Sequence, residues 1–185
     1  MMKSNRRAIG WLALGLAATL GACDSVDQVN DVNNVEARPA FSKGGQKMQQ
    51  LVKLHTPAVG ETGSITVGPK GGSLTVGGHM LHIPDKAVNK QTLFIMTVMP
   101  GDYIHVDLQA FNRDGTPITT FKNPVWLGLS YAGITGSADK KLTVTYLVDG
   151  TVEGATESVT SFMYEAYQMV FGQLHHFSSY SAAID

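Results

Sequence analysis

The chain has 185 residues, with fourteen Lys and Arg against fifteen Asp and Glu, 43% hydrophobic residues and one cysteine. That length suits one domain with a real core, and the lone cysteine excludes an internal disulfide, so stability must come from packing. The charge balance, without a clustered basic stretch, argues against a nucleic-acid-binding surface.

The first elements are not part of any fold. Lys3, Arg6 and Arg7 make a positive start, followed by the thirteen-residue apolar stretch Ala8 to Leu20. That stretch is too short to span a bilayer and suits the hydrophobic part of an export signal. Leu20-Gly21-Ala22-Cys23 then resembles the lipobox of bacterial lipoproteins. The resemblance implies removal of residues 1–22 and lipid attachment at Cys23, which would use up the only thiol. All fifteen acidic residues lie beyond Cys23 while three basic ones precede it, so the mature chain would carry a net charge of −4. The expected location is the bacterial cell envelope, with the membrane as a partner through the lipid on Cys23 and the protein facing periplasm or exterior.

Residues 24–37 are rich in Asn and Asp, with valines at 26, 29, 32 and 35. That spacing fits neither a helix nor a strand, and the composition reads as a flexible tether. In residues 47–55, Met48, Leu51, Val52 and His55 share a helical face, but nine residues make only a marginal helix. The segment is either a short docked helix or more tether, so the whole of 23–59 is assigned to the lipidated N-terminus and tether.

From Gly60 the pattern changes to short alternating strands. Ser73–Val76 and His79–Ile83 flank Gly77-Gly78, a two-residue hairpin signal because both glycines accept positive φ. Leu93–Met99 is an apolar run, and Tyr103–Ala110 places Ile104, Val106, Leu108 and Ala110 opposite His105, Asp107 and Gln109. Turns are expected at Asp114-Gly115 and Asp149-Gly150. Val125, Leu127, Leu129 and Tyr131 alternate, then Leu142, Val144 and Tyr146. Ser161–Tyr167 and Met169–Ala183 complete eight or nine strands. An all-β, antiparallel β-sandwich over residues 60–185 is expected.

Several motifs in this region belong together. Gly68-Pro69-Lys70-Gly71-Gly72-Ser73-Leu74 precedes Leu81-His82-Ile83-Pro84-Asp85-Lys86-Ala87-Val88. Pro124-Val125-Trp126-Leu127-Gly128-Leu129-Ser130-Tyr131 follows, and Leu174-His175-His176-Phe177-Ser178-Ser179-Tyr180 closes the chain. In order and spacing they resemble the ZU-five-type domain of zona occludens scaffolds, ankyrins and netrin receptors. The resemblance implies a β-sandwich that acts as a protein-interaction or structural module, with no cofactor and no enzymatic activity.

Three alternatives carry chemistry. His176-Phe177-Ser178 resembles the site at which function-to-find domains cut themselves. There Ser178 Oγ would attack the Phe177 carbonyl with His176 as base; otherwise Phe177 is core and its neighbours are structural. A metal at His79, His82, or His105 with Asp107 is disfavoured, because His79 and His82 fall on opposite strand faces and no ligand motif is present. Histidines scattered on a solvated face are the expected reading. Trp126, Tyr103 and Tyr131 offer a carbohydrate platform, against which stands packing of Trp126 on the second sandwich face or at an edge. An envelope protein or a glycan is the expected partner.

Overall fold

Glycines punctuate this chain where side chains would collide, and the turns they make set the strand lengths. The computed structural model describes residues 49–134, 140–154 and 156–185. Its strands run in order β1 (Gln50–Leu51), β2 (Lys53–Ala58), β3 (Glu61–Val67), β4 (Gly72–Val76), β5 (His79–Ile83), β6 (Thr92–Val98) and β7 (Gly101–Tyr103). They continue as β8 (His105–Asn112), β9 (Thr120–Ser130), β10 (Leu142–Leu147), β11 (Thr156–Ser158), β12 (Ser161–Tyr164), β13 (Met169–His176) and β14 (Ser179–Ile184), with one turn of 3-10 helix at Glu165–Tyr167 after β12. Gly77 and Gly78 both take positive φ between β4 and β5, as their sequence predicts.

The strands pair antiparallel into two sheets packed as a sandwich. One sheet has the order β11-β10-β14-β8-β6-β3, with β1 beside β14; the other has the order β12-β13-β9-β5-β4; β2 and β7 form a separate ribbon. Between the sheets lie Leu81, Phe94, Met96, Val106, Val125, Leu127, Leu129, Val144, Val170 and Leu174, all buried. Gly172 of β13 lets the sheets approach closely, because a Cβ there would stand 2.7 Å from the Val144 side chain of β10.

The two motifs around Gly71 and Pro84 interlock. Gly71 has a φ of +68°, and a Cβ on it would collide with the Ile83 carbonyl oxygen and the Pro84 backbone. The Lys86 N–H donates to the Pro69 carbonyl at 2.7 Å, and Ala87 and Val88 fill the space beneath. Glycine is required here for both conformation and clearance.

Several expectations from the sequence need correcting. Residues 50–58, assigned to the tether, are strands: β1 pairs with β14, β2 with β7, and Val52 is in the core. The sandwich therefore begins near residue 50, ten residues before Gly60. The helical face of 47–55 loses because sheet pairing supplies tertiary bonds that a nine-residue helix lacks. Tyr103–Ala110 is broken at Ile104 and feeds two sheets, while Met169–Ala183 is broken at Phe177-Ser178. Fourteen strands among the described residues, rather than eight or nine, follow from these breaks and from short edge strands. Ser161–Tyr167 ends as a strand at Tyr164. β10 is buried on both faces, since Thr143 and Thr145 donate to the carbonyls of Val159 and Glu157 at 3.3 and 3.0 Å. Cys23, residues 1–22 and residues 24–37 lie outside the described residues.

Candidate functional site

The chain crosses from the five-stranded to the seven-stranded sheet at His176-Phe177-Ser178, and this corner is built from rings. Phe177 packs against Phe121 at 4.5 Å between centroids and edge-on to Phe94 at 5.6 Å, one ring from each sheet. Phe177 itself is half-buried rather than fully buried, because it closes an open end of the sandwich. Tyr180, 1% exposed, donates its hydroxyl proton to the His176 carbonyl at 2.7 Å. A tyrosine at a strand start that bonds back across the preceding corner fixes the crossing angle.

His176 is bound up in the same arrangement. Its ring is edge-on to Tyr146 at 5.2 Å, and its Nδ1 lies 3.4 Å from the Tyr180 hydroxyl. Burial lowers its pKa, helped by His175, while the Phe177 backbone opposes. Ser178 sits in the bend, its carbonyl accepting from Leu108 N at 3.0 Å. The motif thus has a mechanical role in this fold: hinge, wedge and tie.

The histidines divide between the two sides of the sheets. His79 is buried, not solvated: its Nδ1 accepts the Ser130 N–H at 3.1 Å, and burial lowers its pKa to about 4. His82 points outward on the same strand, as alternation requires, with Nδ1 3.0 Å from Ser73 Oγ. His105 is half-buried beside Asp107, and burial lowers its pKa against the pull of Asp107 and Glu153. Asp107 accepts from Ser179 Oγ at 2.9 Å and Gln109 Nε2 at 3.0 Å. Among the described residues no group of three or more His, Cys, Asp and Glu is arranged to hold a metal ion.

The alternative platform of Trp126, Tyr103 and Tyr131 does not assemble. Tyr131 is buried, and Tyr103 lies in the β2–β7 ribbon with the Lys53 ammonium 5.4 Å from its ring centre. Trp126, on the outer side of β9, is joined instead by two rings that sequence reasoning missed. Register places Phe162 of β12 beside Phe171 of β13, and Phe171 beside Gly128 of β9. Phe162 and Phe171 stack at 5.4 Å with planes 15° apart, and Trp126 meets Phe162 edge-on at 5.7 Å. Gly128 makes room, since a Cβ there would stand 2.6 Å from Phe171 Cε1. Tyr164 and Tyr167 pair at 4.9 Å at the end of this surface. Phe162, Tyr164 and Tyr167 are 51%, 50% and 67% exposed. The signal for this surface was present as Phe162 and Tyr164 at alternate positions with Phe171 on the next strand, but only register brings Phe162 and Phe171 together.

Two further rows flank this one on the outer face of the five-stranded sheet, with exposed Lys122 farther along β9. Gln173, Trp126, His82 and Ser73 lie side by side across β13, β9, β5 and β4, and Tyr164, Met169 and Ser130 across β12, β13 and β9. The three rows contain no Asp, Glu, Lys or Arg. A comparison with models of known families matches none to this chain, and a search of curated proteins likewise finds no match.

Proposed function

We propose that this chain is a lipid-anchored protein of the bacterial cell envelope that presents its β-sandwich as a binding module, not as an enzyme. The observation that carries the reading is the exposed aromatic face of β12, β13 and β9. Exposing several large rings together opposes the hydrophobic effect, and on a folded protein such a patch marks a contact surface. The interlock of Gly71 with Ile83-Pro84 gives physical content to the ZU-five-like motifs, and so supports a module of that type. The lipobox at Cys23 supports the anchor.

The test uses the full chain in detergent, immobilised and mixed with solubilised envelope from its own organism. Material retained by the wild type and lost by a Phe162→Ser/Tyr164→Ser variant of unchanged melting temperature supports the reading. Equal retention by both contradicts it. For the anchor, Cys23→Ser is expected to leave an uncleaved precursor that takes up no fatty-acid label; normal maturation of that variant would contradict it.

A further inference from the structure

We infer that the aromatic face binds a neutral oligosaccharide; this rests on the binding-module reading above and names its ligand class. Size comes first. Five strands at about 4.8 Å spacing and three rows at about 7 Å give a footprint of at most roughly 500 Å². Stable interfaces between folded proteins bury about 800 Å² on each side. The face falls short of one and accommodates a short chain of sugar rings.

Chemistry narrows the ligand further. Aromatic rings carry a negative π-face, which suits the polarised C–H faces of a pyranose. The adjoining row offers the groups that sugar hydroxyls need: the Gln173 amide gives both donor and acceptor, and Ser73 and His82, already joined at 3.0 Å, add hydroxyl and imidazole. The row Ser73–His82–Trp126–Gln173 spans four strands, roughly 14 Å, so rings and hydrogen-bonding groups run alongside one another. The lack of charged residues on the three rows complements a neutral ligand. It opposes both uronic or sulfated sugars and an anionic membrane, which attracts Lys and Arg.

The test presents the full chain, in detergent, to an array of neutral glucose and N-acetylglucosamine oligomers beside sialylated, sulfated and uronic acid oligomers. Binding to neutral members is expected, little changed by salt because no ion pair is involved. Trp126→Ala and Phe162→Ala are each expected to weaken it about tenfold or more. Phe162 is half exposed, so its variant remains a folded control should Trp126→Ala fail to fold. Preference for charged oligomers, or neutral binding that survives both substitutions, overturns the inference. If no sugar binds while these substitutions abolish retention of an envelope protein, or cosedimentation with phosphatidylethanolamine–phosphatidylglycerol vesicles, the sugar is wrong and the binding face stands. If neither sugar binding nor retention is found, both fall.

Discussion

Two clusters of rings differ in how far they are covered, the corner at Phe177 and the outer face around Phe162. In the corner, Phe94, Phe121 and Phe177 touch one another, as do Tyr146, Tyr180 and His176, and the Tyr180 hydroxyl is tied to the backbone. On the face, Trp126, Phe162 and Phe171 touch equally well but leave half of Phe162 in water. Clustering of rings is therefore not what marks a site. Rings that close a gap between sheets serve the fold, whereas rings left open on a completed sheet are in surplus of what the fold needs.

If that division is right, substitutions in the two clusters should separate stability from binding. The largest stability effect is expected at the corner. Phe177→Ala should cost about 3 kcal/mol in denaturant unfolding, the low end for a large ring because Phe177 is only half-buried. Loss below about 1 kcal/mol would remove the wedge from the account.

Acid should act on the buried side with comparable force. His79 accepts a hydrogen bond and stays neutral in the fold down to a pKa of about 4, against 6.5 when exposed. The unfolded chain then binds the extra proton between those values, so stability is full above pH 6.5 and falls as pH drops towards 4. The loss is about 3 kcal/mol, to which the lowered pKa values of His105 and His176 add in the same direction. Unfolding measured at pH 7 and 4.5 should show it, and His79→Gln should flatten most of the dependence. An unchanged slope would place the acid sensitivity elsewhere.

Next in size, Tyr180→Phe keeps the ring and removes the tie, leaving the His176 carbonyl without that donor. An expected cost of about 1–2 kcal/mol follows from one buried hydrogen bond, read as a lower denaturant midpoint at constant slope. A neutral result would mean that the rings alone hold the corner.

The smallest stability effects should come from the face and from Ser178. Phe162→Ala should shift stability by no more than about 1 kcal/mol, because half of the ring is already solvated. Ser178→Ala should be within about 0.5 kcal/mol, and the purified chain should give a single intact mass. A separate peptide of residues 178–185 that disappears in Ser178→Ala would instead establish self-cleavage and overturn the non-enzymatic reading.

Alternation and glycine pairs made much of the fold legible in advance. The β4–β5 hairpin, the inward set Ile104, Val106, Leu108 and Ala110, and the Asp114-Gly115 turn all appear where the sequence places them. What stayed hidden depends on pairing between distant segments. Residues 50–58 overlap a short helical face at Leu51, Val52 and His55, and only pairing with β14 and β7 makes strands of them. Phe177-Ser178 breaks no local rule, yet the chain changes sheets there. The aromatic face was half visible, since Trp126 stood out by type while its partners Phe162 and Phe171 are set by the β12–β13 register. The buried state of His79 was likewise hidden, because its acceptor role depends on Ser130, fifty-one residues away.

Site-specific photocrosslinking in living cells tests the central claim most directly. A photoreactive residue would replace Phe162 on the outer face of the five-stranded sheet, and in a second strain Thr62 on the outer face of the seven-stranded sheet, where its hydroxyl lies 3.1 Å from that of Thr97. Adducts from position 162 and none from position 62 are the predicted result. Adducts from position 62 with none from position 162 would contradict it.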